Sequence, residues 1–386
     1  MSLRDKIKKM KAADDKPQRT LFLNYGVIDN PFPAAGQPFG HPHLETDVDD
    51  EIDNLVEEFE LYGLNTQVIV ITGTQGVGKT NLLTFYQNEL EDLHEEDKTF
   101  YIIRYYPDPE PSFDSIVRRI IQELGEIHLT KIAKSLKGLS NTELSRVVDT
   151  VRNHEVKLVM YSLASAAKEN NSRLNEVCVI ALEWFLGLRV FKRHKEELGI
   201  YFRLDTIESK TQALRDLIYI SVKLNILKGI FLLLDELEKQ DYSLSKTLVI
   251  RYLSAIRALI DALPTNLFLM MALTPEARRR YFLMLPAIAG RLQNVFALSP
   301  LKKSREAIGL YNLYLGDAKN KAETHTIGRS CKPGNVRLLE NENIIDTFKK
   351  MLGESAERGL EGVTHRDFLN QLHTITQTMF NDVLKV

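Results

Sequence analysis

The chain has 386 residues, of which 44% are hydrophobic and 26% are charged, and its net charge at pH 7 is −2. This length exceeds what a single small hydrophobic core can organise, so we expect two or three domains, or one large domain with an insertion. Cys178 and Cys331 are the only cysteines, which excludes a disulfide framework. Without a membrane-length apolar run or a signal-peptide core, the composition predicts a cytoplasmic protein with no membrane partner.

The chain begins with a polar segment. Residues 4–19 are rich in lysine and arginine, a run that is either a solvated surface or an arm that contacts phosphates. Residues 30–36 have the proline and glycine content of a loop. Apolar residues then recur at helical spacing over 49–62, which predicts an amphipathic helix that ends at Gly63.

Residues 73–80 match the phosphate-binding pattern G-x-x-x-x-G-K-T. The β-branched run 68–71 predicts a strand before this P-loop, and residues 81–86 predict a helix after it. Glycines let the backbone curl so that its N–H groups face phosphate oxygens, and the helix amino end adds partial positive charge. The residues assigned to nucleotide binding are Gly73, Thr74, Gln75, Gly76, Val77, Gly78, Lys79, Thr80 and Asn81.

Two of these residues have more specific predicted roles. Lys79 is expected to reach the β- and γ-phosphates, and the Thr80 hydroxyl to bind Mg²⁺. An ordinary glycine-rich turn is the competing interpretation. The predicted strand and helix on either side favour the nucleotide site.

The middle of the chain is predicted to be mainly helical. A strand is expected over 99–105, and prolines at 107, 109 and 111 interrupt the chain. Ser112 is predicted to cap a helix that Gly125 ends. From 126 to 209 the pattern is helical and poor in strands, and it includes the basic cluster 192–195.

A second motif, at 235–236, directly follows a run of five apolar residues, 230–234. Such a run predicts a strand buried on both faces, and ligands bind at the carboxyl ends of such strands. Asp235 is predicted to hold Mg²⁺ and Glu236 to polarise the attacking water. The alternative is an acidic surface turn, but the upstream P-loop favours the metal site.

The rest of the chain contains two more predicted strands and then helices. A helix over 242–263 precedes a buried strand at 267–273, and a short strand is expected at 295–298. The triplet Arg278–Arg280 lies on the intervening helix. Residues 301–386 are predicted to be helical, with one loop at 328–334.

This order of motifs resembles the AAA+ ATPases, in particular origin-recognition-type initiators and the ATP-binding proteins of BREX-type phage defence. The stretches that carry the resemblance are 229–238, 272–276, 290–301 and 362–369. The resemblance implies a three-layer α/β fold: an AAA+ P-loop NTPase core with a mostly parallel sheet, a helical insertion and a C-terminal helical lid. The implied segments are 1–45 (arm and adenine-side loop), 46–125 and 210–300 (AAA+ base), 126–209 (insertion) and 301–386 (lid).

The resemblance also implies residue roles. Thr274 falls at the sensor position that contacts the γ-phosphate or water, although it also suits an N-cap. Arg366 matches the lid arginine that binds the γ-phosphate, with a helix-surface arginine as the alternative. Arg291 is the first candidate for an arginine finger and Arg278–Arg280 the second, but the initiators carry an arginine where this chain has Ala287. The segment 24–32 falls where family members wrap the adenine.

These features predict an ATP hydrolase that uses ATP and Mg²⁺ to drive oligomer or DNA-associated switching, in phage defence, mobile-element control or replication initiation. The expected partners are further copies of the chain, DNA, and other proteins of the same system. The alternative is a signalling or scaffold ATPase that assembles with proteins through its insertion. A small-molecule kinase is disfavoured, because Glu236 directly after Asp235 favours water as the acceptor.

Overall fold

The structure, a computed structural model, describes residues 22–34, 40–61, 64–96, 98–106, 114–189, 191–238, 245–292, 294–324 and 337–383. The basic run 4–19, the prolines at 107–111, Ser112 and the loop 328–334 lie outside the described residues. The chain divides into two compact units. Unit 1 comprises Met1–Thr46, Gly73–Asn81 and Leu298–Val386, and unit 2 comprises Asp47–Thr72 and Leu82–Ala297.

Unit 2 is built on a five-stranded sheet in which every pair of neighbouring strands is parallel, in the order β2-β3-β4-β1-β5. The strands are β1 Gln67–Thr72, β2 Phe100–Tyr105, β3 Gly229–Leu234, β4 Leu267–Leu273 and β5 Asn294–Ala297. All residues of β3 and β4 are buried, as their continuous apolar runs predict. The α/β fold with a parallel sheet is therefore confirmed.

Helices cover both faces of this sheet. On one face, Phe59 of helix α1 (Asp47–Leu61) makes edge-to-face contacts with Phe231 and Phe268, each with ring centroids 5.4 Å apart. On the other face, Leu232 of β3 shares a core with apolar residues of several helices, among them Ile120. This arrangement makes unit 2 a three-layer structure.

The predicted insertion is helical, and its core is continuous with that of the sheet. Buried residues such as Trp184 and Phe185 belong to the same apolar cluster as the β3 side chains. The helices between β2 and β3 are α3 Ser115–Lys137, α4 Asn141–Val148, α5 His154–Glu169, α6 Asn171–Phe185, α7 Lys192–Leu198 and α8 Ile207–Lys223. The first begins before the predicted insertion, 126–209, and the last lies almost entirely after it.

The break that the sequence predicts at Gly125 is present in α3. Gly125 lies within α3 with φ 62° and ψ −170°, so it kinks the helix, which then continues to Lys137. A glycine in this conformation breaks the regular hydrogen bonding without forcing the chain away from a helical path on either side. The helix that begins at Ser115 is therefore interrupted where the sequence predicts, and a second helical stretch follows it directly.

The remaining helices are divided between the units, with α2 Lys79–Leu93 following the P-loop. Those of unit 2 are α9 Lys246–Ala262, α10 Pro275–Met284 and α11 Pro286–Ala289, and those of unit 1 are α12 Ser304–Thr324, α13 Asn341–Glu357 and α14 His365–Val383. Unit 1 has its own core, in which Phe32 stacks on Tyr311 at 5.3 Å between ring centroids. In the described part of the chain, none of the helices combines the length and the apolar character needed to cross a membrane.

Candidate nucleotide site

The P-loop has the strand–loop–helix order that its motif requires. It follows β1 directly in the chain, and α2 begins at Lys79. Gly76 and Gly78 have φ values of 88° and 102°, which L side chains rarely adopt. The Lys79 Nζ donates hydrogen bonds to the carbonyl oxygens of Gly73 at 2.7 Å and Thr74 at 3.2 Å. The ammonium group is therefore held at its own loop, beside the positive end of the helix dipole.

A second segment of unit 1 packs against this loop. The backbone N–H of Arg366 donates to the Gly76 carbonyl at 3.1 Å. A Cβ added at Gly76 would lie 3.1 Å from the Thr364 hydroxyl oxygen and 3.2 Å from the Arg366 Cβ. Burial lowers the pKa of His365, while a backbone hydrogen bond with Val77 opposes that shift. The structure thus brings Arg366, which the resemblance singled out, next to the P-loop.

The amino end of α2 has a partner that the sequence did not reveal. Asn81 Nδ2 donates to the carbonyl oxygens of His41 and Pro42, each at 3.3 Å, and Asn81 Oδ1 lies 3.1 Å from His43 Nδ1. Asn81, assigned to nucleotide binding, therefore also fixes the segment 41–43 of unit 1. No local pattern relates these residues, because their contact depends on the fold of unit 1.

The predicted acid pair lies in unit 2, at the carboxyl edge of the sheet. Asp235 directly follows β3 and is 1% exposed. Its Oδ2 accepts a hydrogen bond from Arg104 Nη2 at 2.7 Å, and its Oδ1 accepts one from the Glu236 backbone N–H at 2.9 Å. Arg104 lies on β2, the neighbouring strand. The predicted metal ligand therefore already has a buried counter-charge.

Sequence reasoning missed Arg104, although a signal was present. It is a single cation in an otherwise aromatic and aliphatic strand, F-Y-I-I-R-Y, and a buried arginine in such a strand needs a partner. Among the described residues, its Nε and Nη1 atoms are buried without a hydrogen-bond partner. Arg104 thus has N–H groups beside Asp235 that could donate further hydrogen bonds.

Glu236 has an unusual backbone conformation. Its φ is 52°, in the left-handed region that costs a non-glycine residue on the order of 1–3 kcal/mol. Strain of this kind concentrates at functional sites, where the surrounding structure maintains it. The strained residue here is the one that the sequence assigns to water activation.

Thr274 and Arg291 occupy different parts of unit 2. Thr274 follows β4, and its hydroxyl accepts a hydrogen bond from the Ala277 backbone N–H at 3.2 Å, so it caps α10. That contact leaves the predicted sensor role open. Arg291 pairs with Asp261 at 2.9 Å and lines a cavity of about 300 Å³ that also includes Gln67, the first residue of β1. It therefore lies towards the amino end of β1.

The alternative arginine finger, Arg278–Arg280, lies on α10 as predicted. The Arg278 guanidinium stacks over the Phe282 ring, 4.8 Å from its centroid. This contact engages Arg278 within its own helix. The choice between Arg291 and this triplet stays a prediction.

The P-loop residues fit a triphosphate. The loop supplies two left-handed glycines, an ammonium group and a helix amino end, which together suit a multiply charged anion. A Cβ added at Gly78 would have no heavy atom within 4 Å, so there is open space at that point of the loop.

The predicted donors for Mg²⁺ are a hydroxyl of unit 1, Thr80, and a carboxylate of unit 2, Asp235. Within the described ranges, no group of three or more histidine, cysteine, aspartate or glutamate residues is arranged to hold a metal ion. Mg²⁺ is commonly bound by one or two carboxylates together with water and substrate phosphates. Taken singly, each of these two donors is of a kind that binds Mg²⁺ when the metal arrives with a nucleotide.

No protein-family model matches the chain, and no curated protein matches it. Among solved structures, the ORC2 protein of Aeropyrum pernix, in its ADPNP–ADP complexes, matches with a TM-score of 0.43 and 12% sequence identity, over 89% of this chain and 72% of that chain. A likeness this distant does not transfer a function.

Proposed function

We propose that the chain is an ATPase of the AAA+ type that binds Mg-ATP and hydrolyses it. The observation that carries the proposal is the P-loop after β1 with the segment 364–366 packed on Gly76. A second support is the acid pair after β3, at the same edge of the sheet as the carboxyl end of β1. Mg-ATP supplies the phosphoanhydride bond that is broken.

The roles of the residues follow from their chemistry. Lys79 would bind the β- and γ-phosphates, and the Thr80 hydroxyl and the Asp235 carboxylate would be ligands of the metal ion. Glu236 orients a water molecule and accepts its proton. Thr274 and Arg366 bind near the terminal phosphate, so that phosphate loss changes how the lid helices are held. A guanidinium suits such multidentate phosphate contact.

The test separates binding from hydrolysis. Lys79→Ala is expected to abolish ATP binding in isothermal titration calorimetry, with Lys302→Ala, an exposed lysine of unit 1, as the matched control. Glu236→Gln is expected to bind ATP and hydrolyse it at least about a hundredfold more slowly. Because glutamine keeps the strained backbone, the change reports on the carboxylate. Unchanged ATP affinity in Lys79→Ala would overturn the proposal.

The finer function we propose is DNA-associated switching in phage defence, mobile-element control or replication initiation. The basic clusters 192–195 and 278–280 support a nucleic-acid partner, since the Lys192 side chain is 92% exposed. We further propose assembly with other copies of the chain, with Arg291 acting across subunits, and with other proteins of the same system. Mass photometry with and without ATP and DNA tests these assemblies.

The second candidate is a scaffold ATPase that binds protein partners through the segment 126–209. The observation that favours it is the amount of exposed apolar surface on this segment, including Ile127 at 75%. Deletion of the segment would expose the core it shares with the sheet. Surface substitutions such as Ile127→Ser are therefore the appropriate test: loss of partner capture with intact ATP turnover would support this candidate.

A further inference from the structure

Exposed aromatic rings and cations recur over residues 189–202, near the end of the insertion. Phe191, Tyr201 and Phe202 are 62%, 68% and 72% exposed. Large apolar side chains are rarely left this exposed in a cluster without a function. We define the aromatic–basic surface as Arg189, Phe191, Lys192, Arg193, Tyr201 and Phe202.

The backbone beneath two of these rings is held by buried side chains. The Oε2 of Glu155 accepts hydrogen bonds from the backbone N–H groups of Tyr201 at 2.7 Å and Phe202 at 3.2 Å. The indole N–H of Trp184 donates to the Phe202 carbonyl at 3.0 Å. Glu155 is 8% exposed and Trp184 is fully buried. A buried carboxylate is costly unless it is hydrogen-bonded, and here it fixes two exposed aromatic residues.

The third ring, that of Phe191, directly precedes α7, whose Lys195 connects the backbone of Phe191 to that of Tyr201. The backbone N–H of Lys195 donates to the Phe191 carbonyl at 3.1 Å, and its Nζ donates to the Tyr201 carbonyl at 3.0 Å. Lys195 therefore connects the two ends of the surface. Residues whose backbone is fixed in advance lose less conformational freedom when a ligand binds.

The surface carries an excess of positive charge. Arg189 and Arg193 are exposed and form no ion pair with another described residue. Lys192 lies 3.8 Å from Glu196, but both side chains are largely exposed, so this pair neutralises little. Cations that are not committed to a protein partner remain available for an anionic ligand.

We propose that the aromatic–basic surface binds single-stranded nucleic acid. Exposed aromatic rings stack on unpaired bases, while neighbouring cations meet the phosphates. In a duplex the base faces are already stacked, and an acidic protein would engage the cations without needing flat rings. The proposal gives the DNA association proposed above a binding site, and it requires neither ATP binding nor hydrolysis.

The experiment measures binding of a fluorescein-labelled oligo(dT) of about twenty nucleotides by fluorescence anisotropy. The double variant Tyr201→Ala/Phe202→Ala is expected to bind at least about tenfold more weakly. The double variant Arg189→Gln/Arg193→Gln is expected to flatten the dependence of log K on log salt by about 0.7 for each lost phosphate contact.

Tyr219→Ala is the matched control, because Tyr219 is 45% exposed on α8 and lies beside Lys223, whose Nζ is 5.8 Å from the ring centroid. It is expected to bind the oligonucleotide as the wild type does. Circular dichroism melting establishes that each variant is folded.

Three results would overturn the proposal. The first is that the Tyr201→Ala/Phe202→Ala variant binds the oligonucleotide as tightly as the wild type does. The second is that a duplex of the same length binds as tightly as the single strand. The third is that polyglutamate displaces the oligonucleotide as effectively as unlabelled oligo(dT) does. Lys79→Ala distinguishes this proposal from the ATPase. If it retains oligonucleotide binding, the surface acts without nucleotide whether or not the chain hydrolyses ATP.

Discussion

Arg104 and Asp235 form a buried ion pair between the neighbouring strands β2 and β3, with Nη2 of Arg104 2.7 Å from Oδ2 of Asp235. Their side chains are 6% and 1% exposed. The pair joins the residue predicted to hold Mg²⁺ to a cation on the next strand. Removal of either partner would leave a buried charge without compensation.

Arg104→Met is expected to lower the free energy of unfolding by about 3–5 kcal/mol, because Asp235 would remain charged and buried. The double variant Arg104→Met/Asp235→Asn is expected to lose clearly less than the sum of the two single variants. Urea unfolding of the four proteins measures the coupling. Arg119→Met is the control, because its pair with Glu123 is exposed and should contribute less than about 1 kcal/mol. Additive losses would show that the pair is not energetically coupled.

Gly76→Ala is expected to destabilise the protein and weaken ATP binding more than Gly78→Ala. Both positions have positive φ, so each alanine introduces backbone strain of about 1–2 kcal/mol. Only the Cβ at Gly76 would press on Thr364 and Arg366. Thermal unfolding and calorimetric titration of both variants measure the difference. Equal losses of stability and of ATP affinity in the two variants would indicate that the segment 364–366 moves without cost to accommodate the added Cβ at Gly76.

Arg366→Ala is expected to reduce ATP affinity by about 10–100-fold and to change ADP affinity little, because a charged hydrogen bond to the terminal phosphate would be lost. Arg366→Lys should recover part of the loss, since it keeps the charge without the planar fork. Calorimetric titration with both nucleotides measures the effect. Arg358→Ala is the control, as Arg358 is also an exposed arginine of unit 1. A parallel loss of ATP and ADP affinity would argue against recognition of the γ-phosphate.

His128 is expected to make stability depend on pH. Its ring is fully buried between the Tyr101 hydroxyl at 3.0 Å and the Ser221 hydroxyl at 2.8 Å. Burial, with a smaller contribution from Lys131, lowers the pKa of His128 from 6.5 to about 4. As the pH falls, the unfolded state takes up the proton first, so the free energy of unfolding decreases between pH 6.5 and about 4.

The decrease should reach about 2 kcal/mol by pH 5. His128→Gln removes this contribution, so the stability advantage of the wild type over the variant should shrink between pH 7 and pH 5. Urea unfolding at the two values measures the change. An advantage that stays constant would mean that His128 is not held neutral by its burial.

Local features of the sequence were sufficient to predict the main elements. The P-loop was recognisable because phosphate binding needs glycines, a lysine and a hydroxyl at fixed spacing on one short segment. The strands β3 and β4 were recognisable because a strand buried on both faces must be apolar throughout. The helical character of 126–209 followed from periodicity alone.

Contacts between distant segments were decided only by the tertiary structure. The pairing of Arg104 with Asp235 depends on the sheet order, which places β2 beside β3. The packing of Arg366 on Gly76 depends on how unit 1 assembles from separate parts of the chain.

The aromatic–basic surface shows this division most clearly. In the sequence, residues 192–195 stand out as a basic cluster, while Tyr201 and Phe202 cannot be distinguished from core residues. In the structure both rings are exposed, while their backbone is hydrogen-bonded to the distant residues Glu155 and Trp184. Periodicity and motif spacing indicate the secondary structure and the chemistry that each segment can form by itself. The burial of a side chain and its pairing with another depend on which segments come into contact in the folded chain.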